Sequence, residues 1–167
     1  MRIPQFIDIE FADAGEMCFP TAMAWSLEDG SMKTVVIAPD DNWLPDDPES
    51  LDVDLRYLEE QGVPLIELVR DLNEDLSDKT VFVDGIDPDE GLVDLIFDAL
   101  AMPVPFELAT IDNLVKRLTA AEIEDWRREV LFTHGLDPQL PESGVYALLM
   151  LARDEGIIPE DYQPDDL

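Results

Sequence analysis

Residues Phe6-Ile7-Asp8-Ile9-Glu10-Phe11, FIDIEF, read as a β-strand that carries two carboxylates two residues apart. In an extended chain residues i and i+2 share a face, so Asp8 and Glu10 point together while Ile7, Ile9 and Phe11 point the other way. Like charges held that close raise each other's pKa unless a cation neutralises them, and a hard divalent ion with oxygen ligands does so directly. The plainer alternative is a strand with one solvated face, on which alternating acids carry no chemistry. The rest of the chain has to decide between the two.

Working outward, residues 3–11, 19–27 and 32–38 read as three strands, with the turn Glu28-Asp29-Gly30-Ser31 joining the last two into an antiparallel meander. Residues 39–50, PDDNWLPDDPES, are rich in Pro and Asp without any period, which predicts a surface loop with Trp43 as an anchor. A helical turn follows over 55–60. Pro64 then opens a helix to residue 76 with Leu65, Leu68, Val69, Leu72 and Leu76 on one face.

Residues 79–83, KTVFV, form a short buried strand, and 88–100 a helix with Leu92, Leu95 and Ile96 inward. A fifth strand is expected over 106–109 and a short helix over 112–118. Thr119-Ala120-Ala121-Glu122 is a capping box that opens a helix to about residue 132, and a last helix runs over 142–153. The acidic, proline-containing residues after Gly156 read as a loose tail, which divides the chain into a domain over 1–155 and a tail over 156–167. Three strands, helix, strand, helix, strand, helices is the order of the ribonuclease H-like α/β fold, a mixed five-stranded sheet flanked by helices.

Composition narrows the function. A chain of 167 residues with 46% hydrophobic content suits one compact domain. No basic segment followed by an apolar run opens it, and residues 17–27 are too short to span a bilayer, so the expectation is a soluble, cytoplasmic protein. One cysteine, Cys18, and one histidine, His134, exclude an internal disulfide and a Cys/His zinc site. Forty acidic residues against ten basic ones give a formal charge of −30, which repels phosphate and disfavours general nucleic-acid affinity unless metals or a local basic patch offset the field. Adaptation to a salty cytoplasm is an alternative source of that acidity. Lys116, Arg117, Arg127 and Arg128 are the one basic concentration. They read either as a phosphate-backbone contact or as cations that complement a helix C-terminus and pair with neighbouring acids.

With the element order in view, FIDIEF followed by FPTAMAWSLEDGSMKTVVIAP resembles the opening of the proofreading-type (DEDD-type) 3′–5′ exonucleases of the ribonuclease H-like superfamily, whose first strand carries D-x-E. The resemblance continues through Trp43 and LRYLEEQGVP (55–64). VFVDGIDPDEGLVDLIFDAL (81–100) is similar to the second motif, a strand followed by an Asp that opens a helix, and LDPQLPESGVYALLMLA (136–152) to the third, His, four residues, Asp, then an Ala/Leu-rich helix. Asp8 and Glu10 match the first motif. Asp89 matches the second, with Asp84 and Asp87 in the same loop as substitutes. Glu142 falls where the family has its last aspartate and Asp137 where it has its general-base histidine; both are departures, and His134 lies three residues upstream.

What the resemblance implies is two-metal phosphodiester hydrolysis. Paired Mg²⁺ or Mn²⁺ ions about 3.5–4 Å apart are held by Asp8, Glu10, Asp89 and Glu142, and short single-stranded RNA or DNA is the substrate. General-base help is typically worth ~10² to 10⁴ in rate, so Asp137 in place of a histidine implies a slow nuclease or a catalytically inactive binding or regulatory module on the same scaffold. Trp43, in its loop, is the aromatic residue expected to stack a base. Homodimerisation is left open.

Overall fold

The computed structural model describes residues 2–14, 17–85 and 88–163. Five strands, β1 (Gln5–Asp13), β2 (Cys18–Ser26), β3 (Met32–Val36), β4 (Thr80–Val83) and β5 (Glu107–Thr110), form one sheet in the order β3-β2-β1-β4-β5. The first three pair antiparallel, while β1–β4 and β4–β5 are parallel. Parallel neighbours need a crossover long enough to hold a helix. Here α1 (Leu55–Gln61) and α2 (Leu65–Leu76) precede β4, and α3 (Asp89–Asp98) precedes β5. The helices α4 (Ala120–Thr133) and α5 (Pro141–Asp154) complete the chain. This mixed five-stranded sheet flanked by helices is the fold class the sequence implies.

Two apolar layers lie on the sheet's two faces. Ile7, Ile9, Met23, Trp25 and Val81 pack with Leu68, Leu72 and Leu76 of α2 and Leu92, Ile96 and Phe97 of α3. Phe6 and Ala24 pack with Ile123 of α4 and Val145, Leu148 and Leu149 of α5. β1 is therefore buried on both sides, and Asp8 sits on the face of Phe6, under α5. The Trp25 indole N–H donates to Asp75 Oδ2 (2.9 Å), which also pairs with Lys33 (2.8 Å), so the end of α2 is tied to the sheet by a satisfied polar link.

Several local expectations are corrected. The register of β1 against β2 shifts between Glu10 and Phe11, leaving Thr21 without a partner on β1, and such a bulge re-aims the side chains beyond it. Phe11 is 44% exposed, and Ala12 joins the layer of Ile7 and Ile9 instead. The expected helix over 112–118 is a single 3₁₀ turn, Ile111–Asn113. The Thr119/Glu122 capping box is present as read. Residues 156–163 are not loose: Ile158 is buried, and the Tyr162 hydroxyl donates to Gly30 O (2.6 Å). Gly30 turns the chain between β2 and β3 with φ +86°, and a Cβ there would collide with the Tyr162 ring.

Candidate metal centre

The parallel register builds the site. Phe6 on β1 lies opposite Phe82 on β4, their rings 6.2 Å apart. Two residues further along each chain stand Asp8 and Asp84, side by side on the same face. Asp89, the first residue of α3, comes in from the end of the sheet. Each of the three offers a carboxylate oxygen, and these oxygens all lie within 4.8 Å of one another. Asp8 and Asp89 are buried, while Asp84 is exposed. Asp8 Oδ2 has no hydrogen-bond partner, which is unusual for a buried polar atom.

Gly144 makes room for this arrangement. It lies in the second turn of α5 directly over Asp8, and a Cβ built on it would stand 2.6 Å from Asp8 Cγ and 3.1 Å from Arg127 Nη2. Only the absence of a side chain lets the helix close on the acid.

Burial pushes the Asp8 carboxyl up to about 8, with Asp84, Asp89 and Glu10 raising it further and Arg127 opposing. Burial likewise pushes Asp89 up to about 7, with Asp84 and Glu10 adding to the rise against Arg127. Glu10 is raised by burial, against Arg127, with Asp137, Asp84 and Glu142 contributing repulsion. The centre thus holds carboxylic acids that keep their protons to unusually high pH, a state relieved by any cation that reaches their oxygens. Carboxylates that bring oxygens within 4.8 Å of one another, two of them buried, are the donor set that a hard divalent ion takes.

Of the residues singled out from sequence, Asp8 and Asp89 belong to the trio, and its third member is Asp84, which the sequence offered as a substitute for Asp89. Asp87 lies outside the described residues. Glu10 and Glu142 are not part of the trio; Glu142 Oε2 is buried without a hydrogen-bond partner. Asp137 is exposed and its Oδ1 accepts from Gln139 N (2.9 Å), although its charge is felt at Glu10. His134 caps α4 at the surface and packs edge-on against Tyr146, with ring centroids 5.6 Å apart. Trp43 is not a base-stacking candidate: it is 5% exposed and stacks on Phe19 beneath its loop.

Sequence reasoning missed Arg127 and Gly144 as members of the centre. The Nη1 of Arg127 is 3.1 Å from Asp84 Oδ2 and its Nη2 is 3.8 Å from Asp8 Oδ2. Arg128, its neighbour, pairs instead with Glu124 and Asp125 on its own helix, and Arg117 pairs with Glu155. The signal for Arg127 was present, since Ile123 and Leu131, four residues away on either side, are both buried. A cation between two inward apolar positions faces the sheet.

No protein-family profile and no curated protein sequence matches the chain. Solved structures do. One chain of the yeast NOT1 MIF4G domain co-crystallised with CAF1 is similar at TM-score 0.60 and 15% identity, over 94% of this chain and 79% of that one. E. coli Exonuclease I in complex with a 5cy-dA13 oligonucleotide is similar at TM-score 0.61 and 12% identity, over 96% of this chain. The present chain spans 42% of that exonuclease chain. At such identities the likeness is one of fold: a mixed α/β sheet with helices on both faces.

Proposed function

We propose that this protein is a metal-dependent 3′–5′ exonuclease of the DEDD type that hydrolyses phosphodiester bonds of short single-stranded RNA or DNA, slowly. The observation that supports it most directly is the convergence of Asp8, Asp84 and Asp89, with Asp8 buried and its Oδ2 without a hydrogen bond, in a fold similar to that of an exonuclease. Asp8, Asp84 and Asp89 would hold Mg²⁺ or Mn²⁺, with Glu10 and Glu142 at the margin. Such ions supply nucleophile activation and stabilisation of the leaving oxygen.

The chain's own residues do the rest. Gly144 and the first turns of α5 cover Asp8 and keep bulk water from its inner oxygen. Asp84, exposed at the rim, faces a cleft of about 230 Å³ lined with Gly85, Ala120, Ile123, Glu124 and Arg127, the side from which a phosphate would approach. The resemblance puts Asp137 at the position of the base histidine, and its side chain is exposed. The second reading is a binding or regulatory module without turnover, and one observation favours it: the guanidinium of Arg127 already pairs with Asp8 and Asp84.

End-labelled short RNA and single-stranded DNA, incubated with Mn²⁺ or Mg²⁺ at low and high salt, distinguish the two. The expected result is stepwise shortening from the 3′ end that requires metal and falls at least ~10²-fold in Asp8→Ala and in Asp84→Ala, a loss no smaller than that seen when groups supporting metal ligands are removed. Salt should help, because shortening the Debye length from about 30 Å at 0.01 M to about 3 Å at 1 M removes the long-range repulsion of a −30 protein. Asp137→His should raise the rate. If the parent chain and Asp137→His are inert on every substrate at every salt level, the binding-module reading replaces this one.

A further inference from the structure

From the way Arg127 is held, we infer that it is a resident counter-ion that competes with the divalent cation for the oxygens of Asp8 and Asp84, and so sets how much metal the protein needs. The inference rests on the metal-site reading above and gives Arg127 a role that reading does not assign. Arg127 lies mid-helix in α4, between Ile123 and Leu131, whose side chains are buried against the core. The capping box at Thr119 and Glu122 anchors the start of that helix. The guanidinium is therefore delivered to the acids by packing, and its side chain is three-quarters buried.

Once there, it is poorly satisfied. A guanidinium has five N–H donors in a rigid fork, and a carboxylate partner is best met by two parallel bonds. Among the described residues, Arg127 makes one contact of hydrogen-bond length, 3.1 Å to Asp84, and one of 3.8 Å to Asp8, which is too long to be a hydrogen bond. Its Nε is buried with no partner. Oδ2 of Asp8, the oxygen that Nη2 approaches, also lacks a hydrogen bond. Two unsatisfied groups facing each other without closing describe a cation that occupies the site and does not lock it.

A divalent ion held by the carboxylates of Asp8 and Asp84 would compete with the guanidinium for them, and the two cations repel each other. The cleft of about 230 Å³ beside Asp84, which Arg127 itself lines, gives the displaced side chain somewhere to go. Arg127 thus lies against Asp84 and Asp8 when metal is scarce and yields them when metal is plentiful.

Calorimetric Mn²⁺ titration of the full chain and of Arg127→Gln and Arg127→Lys is the test. Arg127→Gln keeps length and polarity but removes the charge, so it should bind Mn²⁺ at least tenfold more tightly, while Arg127→Lys stays near the parent. A second measurement avoids variants altogether. With labelled arginine, the Arg127 side-chain resonances of the parent chain should shift and sharpen as diamagnetic Mg²⁺ is added. Affinity that is unchanged or weaker in Arg127→Gln, or Arg127 resonances that stay still while Mg²⁺ binds, overturns the inference and leaves the metal site standing. Binding by Arg127→Gln alone supports the competition and removes the nuclease reading. Binding by neither chain overturns both.

Discussion

Asp8→Asn is expected to raise the melting temperature of the metal-free protein at pH 8 and to erase the rise that Mn²⁺ produces in the parent chain. The sign follows from the raised carboxyls. Asp8 loses its proton near pH 3.8 when unfolded and only near pH 8 when folded. The folded state therefore holds more protons between those values, and stability falls as pH rises through that window. Asp89 behaves alike up to about pH 7. Ordinary carboxylates have finished titrating by about pH 6, so the decline between pH 6 and pH 8 reports these buried acids.

Asparagine at position 8 carries no charge and removes the largest part of that decline. A shift of several units corresponds to a few kcal/mol, and in a chain of this size about 1 kcal/mol moves Tm by roughly 2–4 °C, so a gain of about 5 °C or more at pH 8 is the expected scale. Metal acts on the same protons. It binds the deprotonated acids, so its stabilisation of the parent chain should be large at pH 8 and small at pH 5. Thermal melts at both pH values with chelator or Mn²⁺ read all of this. A Mn²⁺ response that survives in Asp8→Asn would place the bound ion elsewhere.

The second large effect is expected at Gly144. Replacing a helix-interior glycine by alanine ordinarily stabilises a helix, by up to about 1 kcal/mol. Here the new Cβ would lie 2.6 Å from Asp8 Cγ, against a short side chain whose strand is packed on both faces. Forcing a methyl group into a closed core typically costs 1–3 kcal/mol. Gly144→Ala should therefore destabilise the fold by about that amount and weaken Mn²⁺ binding at least tenfold, because Asp8 must turn away. In an Asp8→Ala background the obstacle is gone, and the same substitution should become neutral or stabilising. A coupling of about 0.5–3 kcal/mol between the two positions is the expected reading of the double-mutant cycle. Additive effects would mean that Gly144 is present for some reason other than the acid beneath it.

Much of the architecture was legible because it depends on local patterns. The period-two alternation of FIDIEF, the apolar 3.6-residue spacing of 64–76, and the Thr119/Glu122 capping box each reflect a preference of a few consecutive residues, and the order of these elements limits the sheet to few arrangements. The D-x-E pair could be read in the same way, since the geometry of one strand aligns it. Tertiary structure alone decided the rest. Whether Asp84 or only Asp89 meets Asp8 depends on the Phe6–Phe82 register, a pairing between strands more than seventy residues apart. The exchange of Phe11 for Ala12 in the core depends on a bulge set by the partner strand, in which Thr21 is skipped. The spacing of Ile123 and Leu131 marks Arg127 as inward-facing, but only the docking of α4 on the sheet brought it to the acids. Gly144 is informative only once the helix that carries it lies over Asp8. Local propensity is written in neighbours along the chain, whereas a charged centre is made by residues that become neighbours only when the sheet and its helices have closed.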